Sequence, residues 1–471
     1  MKMGVSPNLR AGLLGQALAA SWAFTLLNSW PLVAAAQTQP GASPSPPAAS
    51  PTPDSGAPSP AAPAGEPLSR DAAVQLALRQ ASAYQQAALG ERAAGLDGEI
   101  ARAALLPRLS AQGIGTLSSP TLRGGSKRVP AFIAANAVPE LQTYLTVSGE
   151  IDVSGALSAT LAKNRALIDA AKAGTEMARR ALVSGTELAY FGLAFAIATR
   201  EAAELNAADA GELERVIGLM LKSVEVARFD LLRARIGSAT RADELERARS
   251  AELGAASALR LLIGYDFDAP LAVERLESSE IHAEELEAFP TRNLSRSPEL
   301  QQLDAMKHAA DLELSIARAE GRPKLAYVAN VGWDTDALSA HGLASHFGAT
   351  AELNLNVPLL DWGAADDKYE QAALRAAAVQ SQTVVAAQSR LQSYLTARQQ
   401  AVSATRRIAL LRTAVADAQQ SLGMALARYR AGEGPILEVT DAQSTLASQR
   451  TGLFQAIFDY QIALTELRSN K

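Results

Sequence analysis

The chain contains 471 residues with a formal net charge of −5, and 48% of its residues are apolar although only 5% are aromatic. The absence of cysteine excludes disulfides, thiolate metal sites and a cysteine-linked lipid anchor. Four histidines offer little for a metal site, and no hydrolase or nucleotide-binding motif occurs in a fitting context. We therefore expect no enzyme activity, no cofactor, no bound metal and no nucleic-acid partner.

The first 36 residues predict a cleaved secretory signal peptide. Lys2 and Arg10 give a basic start, residues 11–33 are mostly apolar, and Ala34-Ala35-Ala36 offers an A-x-A cleavage site. An uncleaved membrane anchor is the alternative, which the polar and proline interruptions late in the apolar run disfavour.

Residues 37–67 form a second region of biased composition. Ten of these 31 residues are proline, and alanine and serine make up most of the rest. Such a composition predicts an extended linker that buries no core.

The remainder of the chain predicts one structural unit present in two copies. The helix-to-strand junction at 103–109 (AALLPRL) is matched by a second junction at 319–325 (AEGRPKL). Gly155, which follows a strand pattern, is matched in the same way by Gly363. Two copies of so long a unit indicate an internal duplication instead of a short solenoid repeat.

The predicted boundaries follow from these matches. We expect a first repeat at 68–264, an inter-repeat equatorial segment at 265–296 and a second repeat at 297–471. The offset from Gly155 to Gly363 also relates Lys222–Arg235 to Arg430–Gln443.

Each copy predicts a first helix, two strands, a very long helix and a returning helix. The first helix begins at Ser69 in copy one and at Ser297 in copy two, because serine caps free helix N–H groups and Pro298 suits the first helical position. Ala364 to Leu422 has 59 residues without glycine or proline, which is ~89 Å of helix. Helices of this length and alanine content are typical of coiled-coil packing.

Four strands are predicted near 107–117, 141–152, 325–333 and 347–357. Apolar and polar residues alternate along them, and ~10 residues suffice for a tilted strand to cross a bilayer. Four strands do not close a barrel, so a membrane role requires several chains. A small soluble sheet, or a soluble periplasmic coiled-coil scaffold or adaptor, is the alternative.

Aromatic residues mark both ends of these predicted strands. Trp333 and Phe347 lie at one end, and Tyr327 and Trp362 lie at the other. Two aromatic girdles of this kind are typical of membrane β-barrels.

Several junction motifs resemble the TolC-like outer membrane efflux protein family. Tyr429–Gln443 and Val226–Arg235 are similar to that family's two periplasmic turns. The junctions at 105–109 (LLPRL) and 322–325 (RPKL), and the segment Val357–Gly363 (VPLLDWG), are also similar. The order, spacing and duplication of these motifs extend the resemblance over residues 67–471.

The resemblance implies a mainly α fold with a small β part. Three protomers of the family each give four strands to a 12-stranded transmembrane β-barrel, and their long antiparallel helices form an α-helical barrel through the periplasm. The implied function is an outer-membrane exit duct for a tripartite efflux pump or type I secretion system, conducting substrates passively. The implied partners are a periplasmic adaptor, an inner-membrane pump and outer-membrane lipid.

A periplasmic gate is the candidate functional site. Glu438 and Asp441 are three residues apart, hence on one helix face, and match acidic positions of the family's constriction. Asp230 and Tyr429 match family positions that hold the closed tip. The alternative for Glu438 and Asp441 is that they only complement the helix dipole near its N-terminus.

The turns themselves are the expected adaptor contacts. They comprise Ser223, Val224 and Glu225 in copy one and Ala431, Gly432 and Glu433 in copy two. Gly434 departs from the family, which often has a basic residue there that ties the second turn to the first. We therefore expect a weaker or rearranged lock in this chain.

Overall fold

The computed structural model describes residues 67–117, 139–222, 226–267, 269–276, 297–335 and 346–469. The predicted signal peptide and all but the last residue of the predicted linker lie outside these ranges. The chain divides into two units, residues 1–57 and 58–471, and all the described residues belong to the second.

The described residues form seven helices and four strands. In chain order these are α1 (Arg70–Arg79), α2 (Ala83–Ala103), β1 (Arg108–Leu117), β2 (Pro139–Ile151), α3 (Ala156–Lys222), α4 (Arg228–Ile263), α5 (Pro298–Glu320), β3 (Lys324–Thr335), β4 (Phe347–Asn356), α6 (Ala364–Arg430) and α7 (Ile436–Ser469). The observed strands begin and end within two residues of their predicted bounds.

The duplication is visible in the helix boundaries. The helices α3 and α6 each contain 67 residues, and the offset from Gly155 to Gly363 relates both their first and their last residues. The same offset relates the first residues of the returning helices α4 and α7. Gly155 and Gly363, which precede the two long helices, have positive φ angles of 81° and 85°, a conformation that favours glycine. The predicted mainly α fold with four strands and an internal duplication is confirmed.

The first helix of copy one differs from its prediction, because it is broken in two. Ser69 caps α1 and Ser297 caps α5, each accepting a backbone N–H through its hydroxyl. The chain is extended at Gln80 and Ser82 before α2 begins. The helix α5 of copy two therefore corresponds to α2, since the offset between the two helix-to-strand junctions places Ser82 against Pro298. The helix α1 packs separately, against α3 and α4.

The four strands form one antiparallel sheet in the order β1-β2-β3-β4. Odd-numbered residues pair with odd-numbered residues across every junction, for example Leu145 with Val331. The odd-numbered face is therefore largely apolar. The even-numbered face is largely polar and includes a hydrogen-bonded row in which Thr146 donates to Asn330 at 2.8 Å and Asn330 donates to Thr350 at 3.4 Å.

The long helices are buried unequally. The helices α3 and α7 carry most of the buried residues and pack against each other, with α4 beside α3 and α6 beside α7. The helices α4 and α6 are largely exposed along their outer faces. By length and composition α3 contains a stretch apolar enough to cross a membrane, but its residues Tyr190, Phe191 and Leu193 are buried among helices.

The described part of the inter-repeat segment runs beside the start of copy one. Leu68 bridges to Val273 in parallel, and the Tyr190 hydroxyl donates to the Leu68 carbonyl at 2.9 Å. Burial raises the pKa of Tyr190 to about 12. Residue 268 and residues 277–296 lie outside the described part of the chain.

Candidate gate at the helical turns

The described ends of α3, α4, α6 and α7 meet at one end of the two helical hairpins. One apolar cluster brings the ends of all four helices together. It buries Ile217 of α3, Ala234 of α4, Tyr429 of α6, and Ile436 and Val439 of α7. Tyr429 belongs to this cluster and Asp230 lies near Tyr429. Glu438 and Asp441 stand on α7 next in sequence to the cluster residues Val439 and Ala442, and the role of these residues in a gate stays a prediction.

The second turn has the geometry of a Schellman motif. The Gly432 N–H donates to the Tyr429 carbonyl at 3.0 Å, and the Glu433 N–H donates to the Arg428 carbonyl at 2.9 Å. Gly432 has a φ of 76°, which costs a residue with a Cβ atom free energy. Pro435 follows and α7 begins immediately after it, so the sequence itself stops one helix and starts the next.

Glu438 is held by a basic partner within the same turn. Nη1 of Arg428 donates to Oε2 of Glu438 at 2.8 Å, and Nη2 of Arg428 lies 3.4 Å from the Glu433 carbonyl oxygen. A Cβ atom at Gly434 would lie 3.2 Å from Oε2 of Glu438 and 3.4 Å from Cβ of Arg428. The absence of a side chain at Gly434 thus leaves room for this ion pair.

Asp441 differs from Glu438 although both lie on α7. It is exposed, and no described residue forms a hydrogen bond or ion pair with its carboxylate. Of the two carboxylates predicted to line the constriction, Asp441 is the one with an uncompensated charge within the described part of the protomer.

Asp230 and Tyr429 come from different copies of the repeat and lie near each other. Tyr429 is 6% exposed, and burial first, then the nearby Asp230 carboxylate, raises its pKa above the ordinary value of 10.0. Its hydroxyl has no hydrogen-bond partner among the described residues. The two residues therefore lie near each other, without a hydrogen bond to the Tyr429 hydroxyl in the described part of the protomer, and their role in locking the tip stays a prediction.

The expected adaptor contacts fall partly inside the described residues. Ala431, Gly432 and Glu433 are exposed on the second turn. Ser223, Val224 and Glu225 of the first turn lie outside the described residues.

The predicted aromatic girdle residues lie at the two ends of the sheet. Trp333 and Phe347 are cross-strand neighbours with ring centroids 5.1 Å apart. Tyr327 lies near the helix-proximal start of β3, and Trp362 lies between β4 and α6. Trp362 is 89% exposed and has a φ of 59°, an uncommon conformation for a residue with a side chain.

The sequence did not predict Arg428 as the ion-pair partner of Glu438. A basic residue in the last turn of a helix usually complements the helix dipole, so nothing about it alone indicated a partner. The signal lay in the tight turn, which brings the last turn of α6 against the first turn of α7. Within the described residues no group of three or more acidic or histidine side chains is placed to hold a metal ion.

The described chain thus combines two long helical hairpins with one amphipathic four-stranded sheet. The sequence profile described as outer membrane efflux protein matches residues 73–265 and 290–470. The chain belongs to this family, as its motifs predicted. No curated protein matches the sequence.

Solved channel structures share the fold. CusC, whose structures describe folding and transmembrane channel formation, has a TM-score of 0.77 and 20% identity, covering 85% of this chain and 91% of that chain. The Campylobacter jejuni CmeC outer membrane channel has a TM-score of 0.76 and 17% identity, covering 85% of each chain. The open state of the Neisseria gonorrhoeae MtrE outer membrane channel has a TM-score of 0.73 and 19% identity, covering 85% and 88%.

Proposed function

We propose that three copies of this chain form an outer-membrane channel that conducts substrates passively from the periplasm to the exterior. The observation that carries the proposal is the sheet, whose edge strands β1 and β4 are each paired on one side only. An exposed sheet edge is a template for pairing with another chain, and only a closed barrel satisfies every strand in lipid. The odd-numbered apolar face is then the lipid-facing surface.

The helical hairpins supply the periplasmic part of the duct. A continuous helix of 67 residues is about 100 Å long. The exposed outer faces of α4 and α6 are left for helices of neighbouring protomers, and the channel ends at the two turns.

The narrow end is the proposed gate. Three copies of Asp441 form a ring of exposed carboxylates, and three Arg428–Glu438 pairs lie one helical turn closer to the tip. Charged rings in a narrow pore set a barrier and a selectivity. The exposed second turn, residues 431–433, is the proposed docking point for a periplasmic adaptor and its inner-membrane pump, in an efflux or type I secretion system. The N-terminal signal directs export.

The proposal is tested by mass and by conductance. We expect the detergent-purified chain to have the mass of a trimer, to fractionate with outer membranes and to form discrete cation-preferring channels in planar bilayers. A soluble periplasmic scaffold, the alternative function, predicts a soluble fraction and no conductance. A monomer without channels in bilayers would contradict the proposal.

A further inference from the structure

The two edge strands of the sheet belong to different copies of the repeat. β1 opens the strand pair of copy one, and β4 closes that of copy two. In the middle of the sheet, β2 of copy one pairs with β3 of copy two. The pairing of β2 with β3 within the chain is therefore a precedent for a pairing of β4 with β1 of a second chain.

The internal duplication allows the residue pairing between β2 and β3 to be transferred to β4 and β1. The offset from Gly155 to Gly363 maps the first residue of β2 onto the first residue of β4, and the offset between the helix-to-strand junctions maps β1 onto β3 in the same way. Leu145 of β2 lies opposite Val331 of β3. The two offsets carry Leu145 onto Leu353 of β4 and Val331 back onto Gly115 of β1.

We propose that β4 pairs antiparallel with β1 of a second copy in this transferred register, which places Leu353 opposite Gly115 and Leu355 opposite Gly113. The inference rests on the proposed assembly and adds the register that the assembly alone leaves open.

Side-chain sizes at the two edges fit this register. Leu353 and Leu355 are 71% and 62% exposed on the odd-numbered face of β4. Gly113 and Gly115 lie on the same face of β1, with open space where a Cβ atom would stand. The sheet already uses this arrangement once, at the junction of β2 and β3, where the ring of a tyrosine fills the space above its cross-strand glycine (Tyr327 and Gly149).

The polar face fits as well. The same transfer places Asn356 opposite Gln112 and Glu352 opposite Thr116, each pairing a hydrogen-bond acceptor with a donor. A slip by one residue would turn the leucines to the polar face.

The same transfer applies to a contact at the junction between sheet and helices. Within the protomer, Nη1 of Arg322 donates to the Ser154 carbonyl at 3.1 Å. The two offsets relate Ser154 to Trp362 and Arg322 to Leu106. Trp362 and Leu106 are both exposed in the protomer, so the transferred contact brings two exposed apolar residues together. The polar contact inside the chain is thereby replaced by an apolar contact between copies.

Cysteine cross-linking tests the register on a clean background, because the chain has no cysteine. Directly opposed strand residues have Cα atoms about 4.5–5.5 Å apart, within disulfide reach. We expect the double variant Leu353→Cys with Gly115→Cys to give a ladder of covalent dimer and trimer on mild oxidation. Each single variant should give no ladder beyond a trace.

Two further double variants serve as controls. Leu145→Cys with Val331→Cys occupies the precedent positions and should form its disulfide within one chain, consuming thiols without a ladder. Leu353→Cys with Gly113→Cys is displaced by two residues and should cross-link poorly, since such diagonal neighbours lie about 7–8 Å apart.

The outcomes separate the register from the assembly. A trimer by mass whose displaced pair cross-links better than the Leu353–Gly115 pair would overturn the register and leave the proposed function standing. A trimer in which only the internal pair cross-links would do the same. A parent chain that is monomeric would overturn both.

Discussion

The two copies of the repeat place an acid at the same position of the returning helix, yet the two acids have different surroundings. Asp230 is the third residue of α4, and Glu438 is the third residue of α7. Glu438 pairs with Arg428, whereas the residue equivalent to Arg428 in copy one is Met220. Asp230 instead lies beside buried Tyr429 of the other copy. The acid therefore has the same backbone position in both copies, whereas the side chains around it differ.

This difference predicts different roles for the two turns. Copy one contributes Asp230, an acid that lies near Tyr429 of the other hairpin. Copy two contributes a self-contained turn with an internal ion pair, and beyond it an exposed carboxylate at Asp441. The copy-one residue equivalent to Asp441 is Arg233, so the two copies carry opposite charges at this position.

The largest expected effect comes from breaking the contact between the copies. Tyr429→Ala removes a buried ring from the cluster of helix ends, which we expect to destabilise the tip by ~3 kcal/mol. Tyr429→Phe removes only a hydroxyl that has no partner among the described residues, so it should be neutral or stabilise by up to ~1 kcal/mol. Hydrogen–deuterium exchange over residues 426–440 measures both. A phenylalanine variant as unstable as the alanine variant would show that the hydroxyl is bonded.

The next effect concerns the turn of copy two alone. Gly432→Ala forces a Cβ atom into the left-handed region and should cost ~1–2 kcal/mol. Gly434→Ala only crowds the carboxylate of Glu438 and the stem of Arg428, so it should cost no more than ~0.5 kcal/mol. Thermal unfolding of the detergent-solubilised protein, with the same exchange measurement, ranks the two. The reverse order would contradict the observed turn geometry.

Much of this fold was predictable from the sequence because its signals are local. Period-two alternation identified the strands, and a long stretch without glycine or proline identified α6. The break between α1 and α2 was not predictable, because it depends on how α1 packs on α3 and α4. Nothing in residues 80–82 alone stops a helix.

The site was predictable in position but not in detail. Matching motifs placed Asp230, Tyr429, Glu438 and Asp441 at the turns, and their roles in gating remain predictions. The Arg428–Glu438 pair depends on the turn bringing two helix ends together. The unpaired Tyr429 hydroxyl depends on tertiary burial, which a single sequence does not display.

A smaller effect concerns the ionisation of Tyr429 at alkaline pH, which depends in part on Asp230 of the other copy. The raised pKa of Tyr429 means that the folded tip favours the neutral phenol. This stabilising contribution is complete below the ordinary tyrosine pKa of 10.0 and is lost as pH rises through the folded-state value. Burial is the larger cause, so Asp230→Asn should lower the pKa of Tyr429 only in part. Ultraviolet difference titration against Tyr429→Phe measures it, and an unchanged pKa in Asp230→Asn would show that the carboxylate faces elsewhere.

The smallest expected change in stability concerns Glu438 and Asp441 of α7, and it tests the proposed gate most directly. An exposed ion pair such as Arg428–Glu438 contributes only ~0–1 kcal/mol, so its substitution should leave folding nearly unchanged. The substitution should still alter the electric field in a narrow pore, where low-dielectric walls focus the field.

We expect Asp441→Asn to reduce cation preference more than Glu438→Gln, because Arg428 already compensates Glu438. Arg428→Ala should increase cation preference by releasing Glu438, and Glu433→Gln on the turn serves as the control. Reversal potentials in planar bilayers under a salt gradient measure all four. If Glu438→Gln lowers cation preference as much as Asp441→Asn does, the ion pair is open in the assembled channel and both acids line the pore as equals.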